Sequence, residues 1–443
     1  MQFLKSLYLK SFLFYCLSAL VVVFCVGFIF SIFFSIGIFA FIAILVLLVI
    51  DILLLYKQTN GVVASRLVSD RLSNGDANQI QLIVENNYPF DAHLSIIDEV
   101  PIQFQERNLT FNIRLEKGKK KLINYTVTPT QRGEYNFGKL NVYATANIGF
   151  VERKFIFSEE KDVAVYPSFL QMKKYELIAF SNQLTQAGIK KIRKIGRNTE
   201  FEKINEYTAG DDFKTINWQA TARKGKLMIN QYQEEKSQNV YCIIDMGRSM
   251  KMPFNGLTLL DYAINSSLVL SNIIAKKYDK PGIITFNNKI KNVLKADNSG
   301  LQMQRIMELL YKQKTGFAES NYEMLYSTIK YKVPQRSLML LFTNFETLDS
   351  LDRQLIYLKG IAKNHLIICI FFENTELTTI TKNEVYNTTD VYRQTIAEKF
   401  IFEKKLIMKK LNQHGIQTIY TAPENLTINS INKYLEIKSR HLI

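Results

Sequence analysis

The sequence predicts three parts in series: an N-terminal transmembrane helical hairpin, a β-sandwich module, and an α/β domain on a mostly parallel sheet. Three observations carry this. The N-terminal part holds one long uncharged run, the middle alternates apolar and polar residues with period two, and from Val240 apolar strand-like runs alternate with helical spacing.

The uncharged run extends from Ser11 to Ile50, between Lys10 and Asp51. One span needs about 20 apolar residues and a signal-peptide core about 7–15, so a run of this length reads as two spans, without a cleaved leader. The turn is expected near Ser31–Gly37, with spans over roughly 11–30 and 34–55 and Asp51 near the interface. Lys5 and Lys10 precede the hairpin, and Lys57, Arg66 and Arg71 follow it. Positive charge at both ends predicts a multi-pass protein of the cytoplasmic (inner) membrane with its soluble domains in the cytoplasm.

From about Ala64 to Tyr166, stretches such as Gln79–Glu85 and Leu109–Leu115 alternate and end at turn signals, Ser73-Asn-Gly-Asp among them. This predicts a β-sandwich of about seven strands, with Ala146–Phe150 turning its final hairpin. The basic turn Lys117–Lys121 reads as solvated or as touching lipid headgroups. Beyond Val240, strands are expected at Val240–Asp245, Gly282–Phe286, Ser337–Thr343, Leu366–Phe372 and Gln417–Tyr420. Helical spacing covers about 260–277, 301–313, 322–331 and 350–363, and a long helix ends near His414. The alternation predicts a parallel sheet covered on both faces, with ligands bound at the strands' carboxyl ends. That places Asp245–Ser249, the Glu319–Asn321 loop and Thr343–Asn344 at the functional edge.

Composition narrows the function. With 56 Lys+Arg against 40 Asp+Glu, a net of +16, the chain favours acidic surfaces: anionic lipid, nucleic acid or an acidic protein. Cys16, Cys25, Cys242 and Cys369 form no CxxC pair, which excludes a disulfide scaffold and a Cys-based zinc module. His93, His365, His414 and His441 are scattered, and neither a P-loop nor a GxSxG elbow occurs. No enzymatic activity is expected. No RRM, KH or helix-turn-helix pattern gathers the positive charge, so no nucleic-acid partner is expected, and basic nucleic-acid binding stays as the weaker alternative.

Asp245-Met-Gly-Arg-Ser249 closes the first strand of the α/β part. An Asp followed at short spacing by hydroxyl residues can hold a hard divalent cation among oxygens from several loops. The stretch resembles the metal-ion-dependent adhesion site of von Willebrand factor A domains, an Asp-x-Ser-x-Ser motif joined by a threonine and an aspartate from two further loops. Asp245 and Ser249 match it, Gly247 stands at the middle serine, Ser320 at the threonine and Asn344 at the aspartate. The resemblance implies a degenerate Mg²⁺ or Ca²⁺ site of Asp245, Ser249, Ser320 and Asn344, weakened by the lost hydroxyl and carboxylate. The competing reading is a metal-free turn held by hydrogen bonds.

Between the soluble domains the chain reads Gly196-Arg-Asn-Thr-Glu-Phe201, Ile204-Asn-Glu-Tyr207, Gly210-Asp-Asp212, Ile216-Asn-Trp218 and Ala222-Arg223. This order resembles the signature of the bacterial family catalogued as domain of unknown function fifty-eight. The resemblance extends to the hairpin, the β module with Arg132–Gly138, and the α/β domain. It implies a von Willebrand factor A-like, Rossmann-type domain and a partnership with a MoxR-type AAA+ ATPase, beside which members are encoded. Its signature residues here are Glu200, Phe201, Tyr207, Gly210, Asp211, Asp212, Trp218 and Arg223. Physically, Glu200, Asp211, Asp212 and Arg223 around the only Trp predict a hydrogen-bonded network that locks the segment down, with Trp218 as its buried anchor. A lone Trp beside an Arg is also the composition of a docking hot spot. Upstream, Lys190–Arg197 holds cations suited to anionic lipid, to an acidic ATPase face or to solvent.

The expected domains are a membrane anchor at 1–58, the β-sandwich at 59–170, the signature segment at 171–236 and the α/β domain at 237–443. The expected function is that of a membrane-anchored, non-enzymatic interaction or adaptor protein. A divalent-metal-dependent adhesion module is the alternative.

Overall fold

The structure, a computed structural model, describes residues 5–104, 109–157, 159–180, 199–208, 211, 213–234, 237–382, 387–440 and 442. The chain divides into two compact units, Met1–Tyr166 and Pro167–Ile443.

In the first unit, helices Ser11–Gly27 and Ser31–Tyr56 are joined at 28–30, so the turn comes earlier than expected and Ser31–Gly37 begins the second helix. Close approach explains the two glycines. A Cβ on Gly27 would meet the Phe34 backbone nitrogen at 2.7 Å, and one on Gly37 would meet the Phe24 ring at 2.8 Å. The 26-residue second helix is long and apolar enough to cross a membrane, and the first, at 17 residues, is shorter.

Both helices are tied at their base to the β layer. Leu7–Leu9, just ahead of the first helix, pairs with Val151–Phe157, and Val62–Leu67 follows the second. Asp51 accepts the backbone N–H groups of Phe150 and Val151 at 2.9 and 3.0 Å, which buries it in protein. The Arg153 guanidinium donates to the carbonyls of Leu55, Gln58 and Thr59 at 2.6, 2.6 and 3.0 Å. These are carbonyls that a helix end leaves open.

The β part comprises a five-stranded and two three-stranded sheets. Burial alternates along strands such as Asn78–Asn86, as period two demands. Residues 146–150 do turn a hairpin, but Lys161–Tyr166 follows it as a further strand. Arg66, one of the expected flanking charges, is instead buried and neutralised by Asp98 inside the sandwich. In the basic turn, Lys119 and Lys120 pair with Glu116 and Glu85 at 2.7 and 2.9 Å.

In the second unit, β1 (Asn239–Asp245), β2 (Lys280–Phe286), β3 (Ile290–Leu294), β4 (Leu338–Phe342), β5 (Leu366–Phe372) and β6 (Gln417–Thr421) form one sheet. The order is β3-β2-β1-β4-β5-β6, and only the β2–β3 pair is antiparallel. Two faces need two cores. β1 sends Val240, Cys242 and Ile244 under Leu259–Lys276 and Leu426–Ser439, and Tyr241 and Ile243 under Tyr322–Lys332 and Leu348–Ala362. The direction of winding reverses between β1 and β4, and their carboxyl ends define the switch point. Helix Phe169–Phe180 also belongs to this unit, because Glu176 takes Asn272 and Lys276 at 2.8 and 2.9 Å.

Candidate functional site

Asp245 ends β1 at the switch point and is only 2% exposed. Its Oδ1 accepts the Gly247 N–H at 2.8 Å and the Ser320 hydroxyl. Its Oδ2 accepts the hydroxyls of Thr343, at the end of β4, at 2.7 Å and of Tyr322 at 3.2 Å. Burial pushes this carboxyl above its usual range, against the four donors, of which Ser320 counters it most. The carboxylate therefore stitches together β1, the Ser320 loop, a helix start and β4.

The four expected metal ligands line one cleft, where donors of the chain already meet Asp245 and Asn344. Gly247, at the position of the missing hydroxyl, is backed by Ser320: a Cβ there would overlap the Ser320 Oγ. Ser320 thus fills the space that the glycine leaves. Asn344 directs its Oδ1 at the Lys404 ammonium, 2.6 Å away, and Lys404 also donates to the Phe345 carbonyl. Asp245, Ser249, Ser320 and Asn344 all line this one cleft of ≈ 210 Å³, together with Arg248, Glu319 and Arg353. A divalent cation needs converging lone pairs, whereas here donors converge on Asp245 and an ammonium holds Asn344. Without an ion, the Asp245 and Asn344 oxygens are met by hydroxyl, N–H and ammonium donors. Tyr322 and Lys404 were not singled out from the sequence. Tyr322 follows directly on the Ser320–Asn321 loop, a usable signal, but Lys404 is one cation among many on a long polar helix.

The signature segment forms an antiparallel pair, Thr199–Glu206 with Met228–Glu234, around the short helix Trp218–Lys224. The Asn217 side chain caps that helix by accepting the Ala220 N–H at 3.0 Å, and Gly225 ends it with a φ of 67°. The Thr221 Oγ1 accepts the Met228 N–H at 3.0 Å, which fastens the helix to the pair. Trp218 is not the buried anchor: it is 69% exposed, Phe213 is 68% exposed, and Met228 and Ile229 are buried instead. The helix is held by its cap and by Thr221, which leaves its first residue facing solvent.

Of the expected charge network, the side chains of Asp211 and Arg223 are described. Asp211 accepts the N–H and hydroxyl of Thr208 at 2.9 and 2.8 Å, a local turn that holds its carboxyl below the usual range. Arg223 is exposed. Tyr207 tilts against Phe213, with ring centroids 5.2 Å apart. Glu200 and Phe201 lie in the first strand of the pair, opposite Gln233 and Tyr232. Gly210, Asp212 and the basic run at 190–197 lie outside the described residues.

Comparison with known proteins bears on this same region. Residues 203–388 match the model of the family described as Protein of unknown function DUF58. The match takes in Tyr207, Trp218 and Arg223 together with Asp245, Ser249, Ser320 and Asn344. The uncharacterized protein YeaD of Bacillus subtilis (strain 168) is 22% identical over 205 residues, 44% of this chain and 50% of that protein. The chain thus spans about half the length of this curated relative. Among solved structures, the conserved hypothetical protein BatB from Bacteroides thetaiotaomicron aligns at TM-score 0.28 and 10% identity, over 46% of this chain and 100% of that one. The CARDB domain of PF1109 from Pyrococcus furiosus aligns at TM-score 0.17 and 16% identity, over 24% and 91%. Likenesses this distant add nothing to the folds read directly from the strands.

Proposed function

We propose that the chain is a membrane-anchored, non-enzymatic interaction protein that engages its partner through the signature helix, and that the partner is an AAA+ ATPase of MoxR type. The observation that carries the docking role is the exposure of Trp218 and Phe213, at 69% and 68%, in a segment that also exposes Arg223. Large aromatics left in water, with an arginine in the same segment, are the usual material of a hot spot. The α/β unit is then a von Willebrand factor A-like scaffold that works without a metal, its switch point held by Asp245. The anchor crosses the membrane twice, a reading supported by the β strands that flank both helices, and the soluble parts stay in the cytoplasm.

The test is co-purification from detergent-solubilised membranes with the ATPase encoded nearby, in its apo, ATP and ADP states. The full chain is expected to retain the ATPase in at least one state, and the Trp218→Ala chain to lose it. No retention in any state removes the partner assignment. Equal retention by Trp218→Ala removes the docking surface. Digestion of the soluble units by protease added outside intact spheroplasts would overturn the topology.

A further inference from the structure

At the carboxyl ends of β4, β5 and β6 lies a cavity of ≈ 320 Å³, near the lower end of the range for ligand pockets. Its walls are apolar, with Phe254, Phe372, Leu377, Phe400 and Tyr420 among them. Phe254 is placed by a tight hairpin whose Asn255 and Gly256 both take positive φ, 46° and 81°. Three carboxylates line the cavity, those of Glu346, Glu373 and Glu376, and none is ion-paired among the described residues. Glu346 and Glu376 are exposed. The single cation of the lining, Lys404, is already held by the Asn344 Oδ1 and the Phe345 carbonyl. Glu373 accepts the Thr378 hydroxyl at 3.2 Å and Glu346 acts on the Lys404 ammonium, so in a chain of net charge +16 three carboxylates against one ammonium leave a local excess of negative charge around an apolar hole.

We propose that this cavity receives an apolar side chain of a partner protein flanked by lysine or arginine. The anchor fills the aromatic-lined space, and the flanking cations meet Glu346, Glu373 and Glu376. An acidic ligand is disfavoured, since three carboxylates would repel it and the one ammonium is occupied. The assignment rests on the interaction reading above but uses a different surface, so the Trp218 experiment and this one can fail separately.

The test uses the full chain in detergent and three fluorescein-labelled pentapeptides, Lys-Lys-Phe-Lys-Lys, Lys-Lys-Ser-Lys-Lys and Glu-Glu-Phe-Glu-Glu, read by fluorescence anisotropy. The basic aromatic peptide is expected to bind at least about tenfold more tightly than either of the others. Glu376→Lys should weaken it by about fivefold or more, while Glu308→Lys, exposed on a helix that does not line the cavity, should change it by less than about twofold. Leu377→Arg, which fills the mouth, should abolish binding with the thermal midpoint retained. Equal losses from Glu376→Lys and Glu308→Lys would show diffuse attraction and overturn the site. So would equal binding of the serine peptide, tighter binding of the acidic peptide, or no binding at all.

Discussion

The switch-point edge around Asp245 and the signature hairpin around Trp218 belong to one unit and treat their side chains in opposite ways. At the edge, Asp245, Ser320, Tyr322 and Thr343 satisfy one another on the wall of a cleft, Ser320 half-buried and the rest buried. In the hairpin, a short capped helix turns its Trp and the neighbouring Phe into water. The residues that look most like a binding motif are thus hydrogen-bonded internally, whereas those that look like a structural anchor are exposed. A motif match identifies which side chains are close in space. Whether they face outward depends on what else fills the space, and here Ser320 and Lys404 fill it.

The largest effect that could break this contrast comes from Asp245→Ala. It strips the acceptor from three buried donors and the half-buried Ser320, and the α/β unit should lose about 3 kcal/mol or more, measured as a fall in the urea midpoint by circular dichroism. A small loss would mean that the edge is open to water after all. Next, Gly247→Ser should cost about 1–3 kcal/mol through overlap with Ser320, and Gly247→Ser combined with Ser320→Ala should recover most of it. A double-mutant cycle on thermal midpoints measures that coupling, and additive losses would dismiss the complementary fit.

The pH dependence sharpens the role of Lys404. Burial lowers its ammonium from the ordinary value to about 8, with Glu346 acting in the opposite direction. Between about pH 8 and the unfolded value near 10.5, the unfolded chain binds more protons than the folded one, so stability rises with pH. Between pH 7.5 and 9.5 the rise should be about 1–2 kcal/mol, and it should vanish in Lys404→Met, followed by urea midpoints across that range. The smallest stability effect is expected from Trp218→Ala, within about 0.5 kcal/mol, because an exposed side chain packs against little. A drop of several kcal/mol would return Trp218 to the role of anchor and end the contrast.

The sequence by itself determined the order of the parts and most of the α/β elements. Short unbroken apolar runs such as Leu366–Phe372, alternating with helical spacing, read as strands buried on both faces, which put Asp245 at a strand's carboxyl end. β3 escaped because Ile290-Lys-Asn-Val-Leu294 is short and half polar, as suits an edge strand. Only the tertiary structure decided that Arg66 is neutralised within the sandwich, that Asp51 is capped by backbone from a strand 99 residues away, and that Asn344 answers to Lys404. Local periodicity records which face of an element is apolar. It carries no record of which distant polar atom arrives opposite, and that pairing settles whether a site is closed or open.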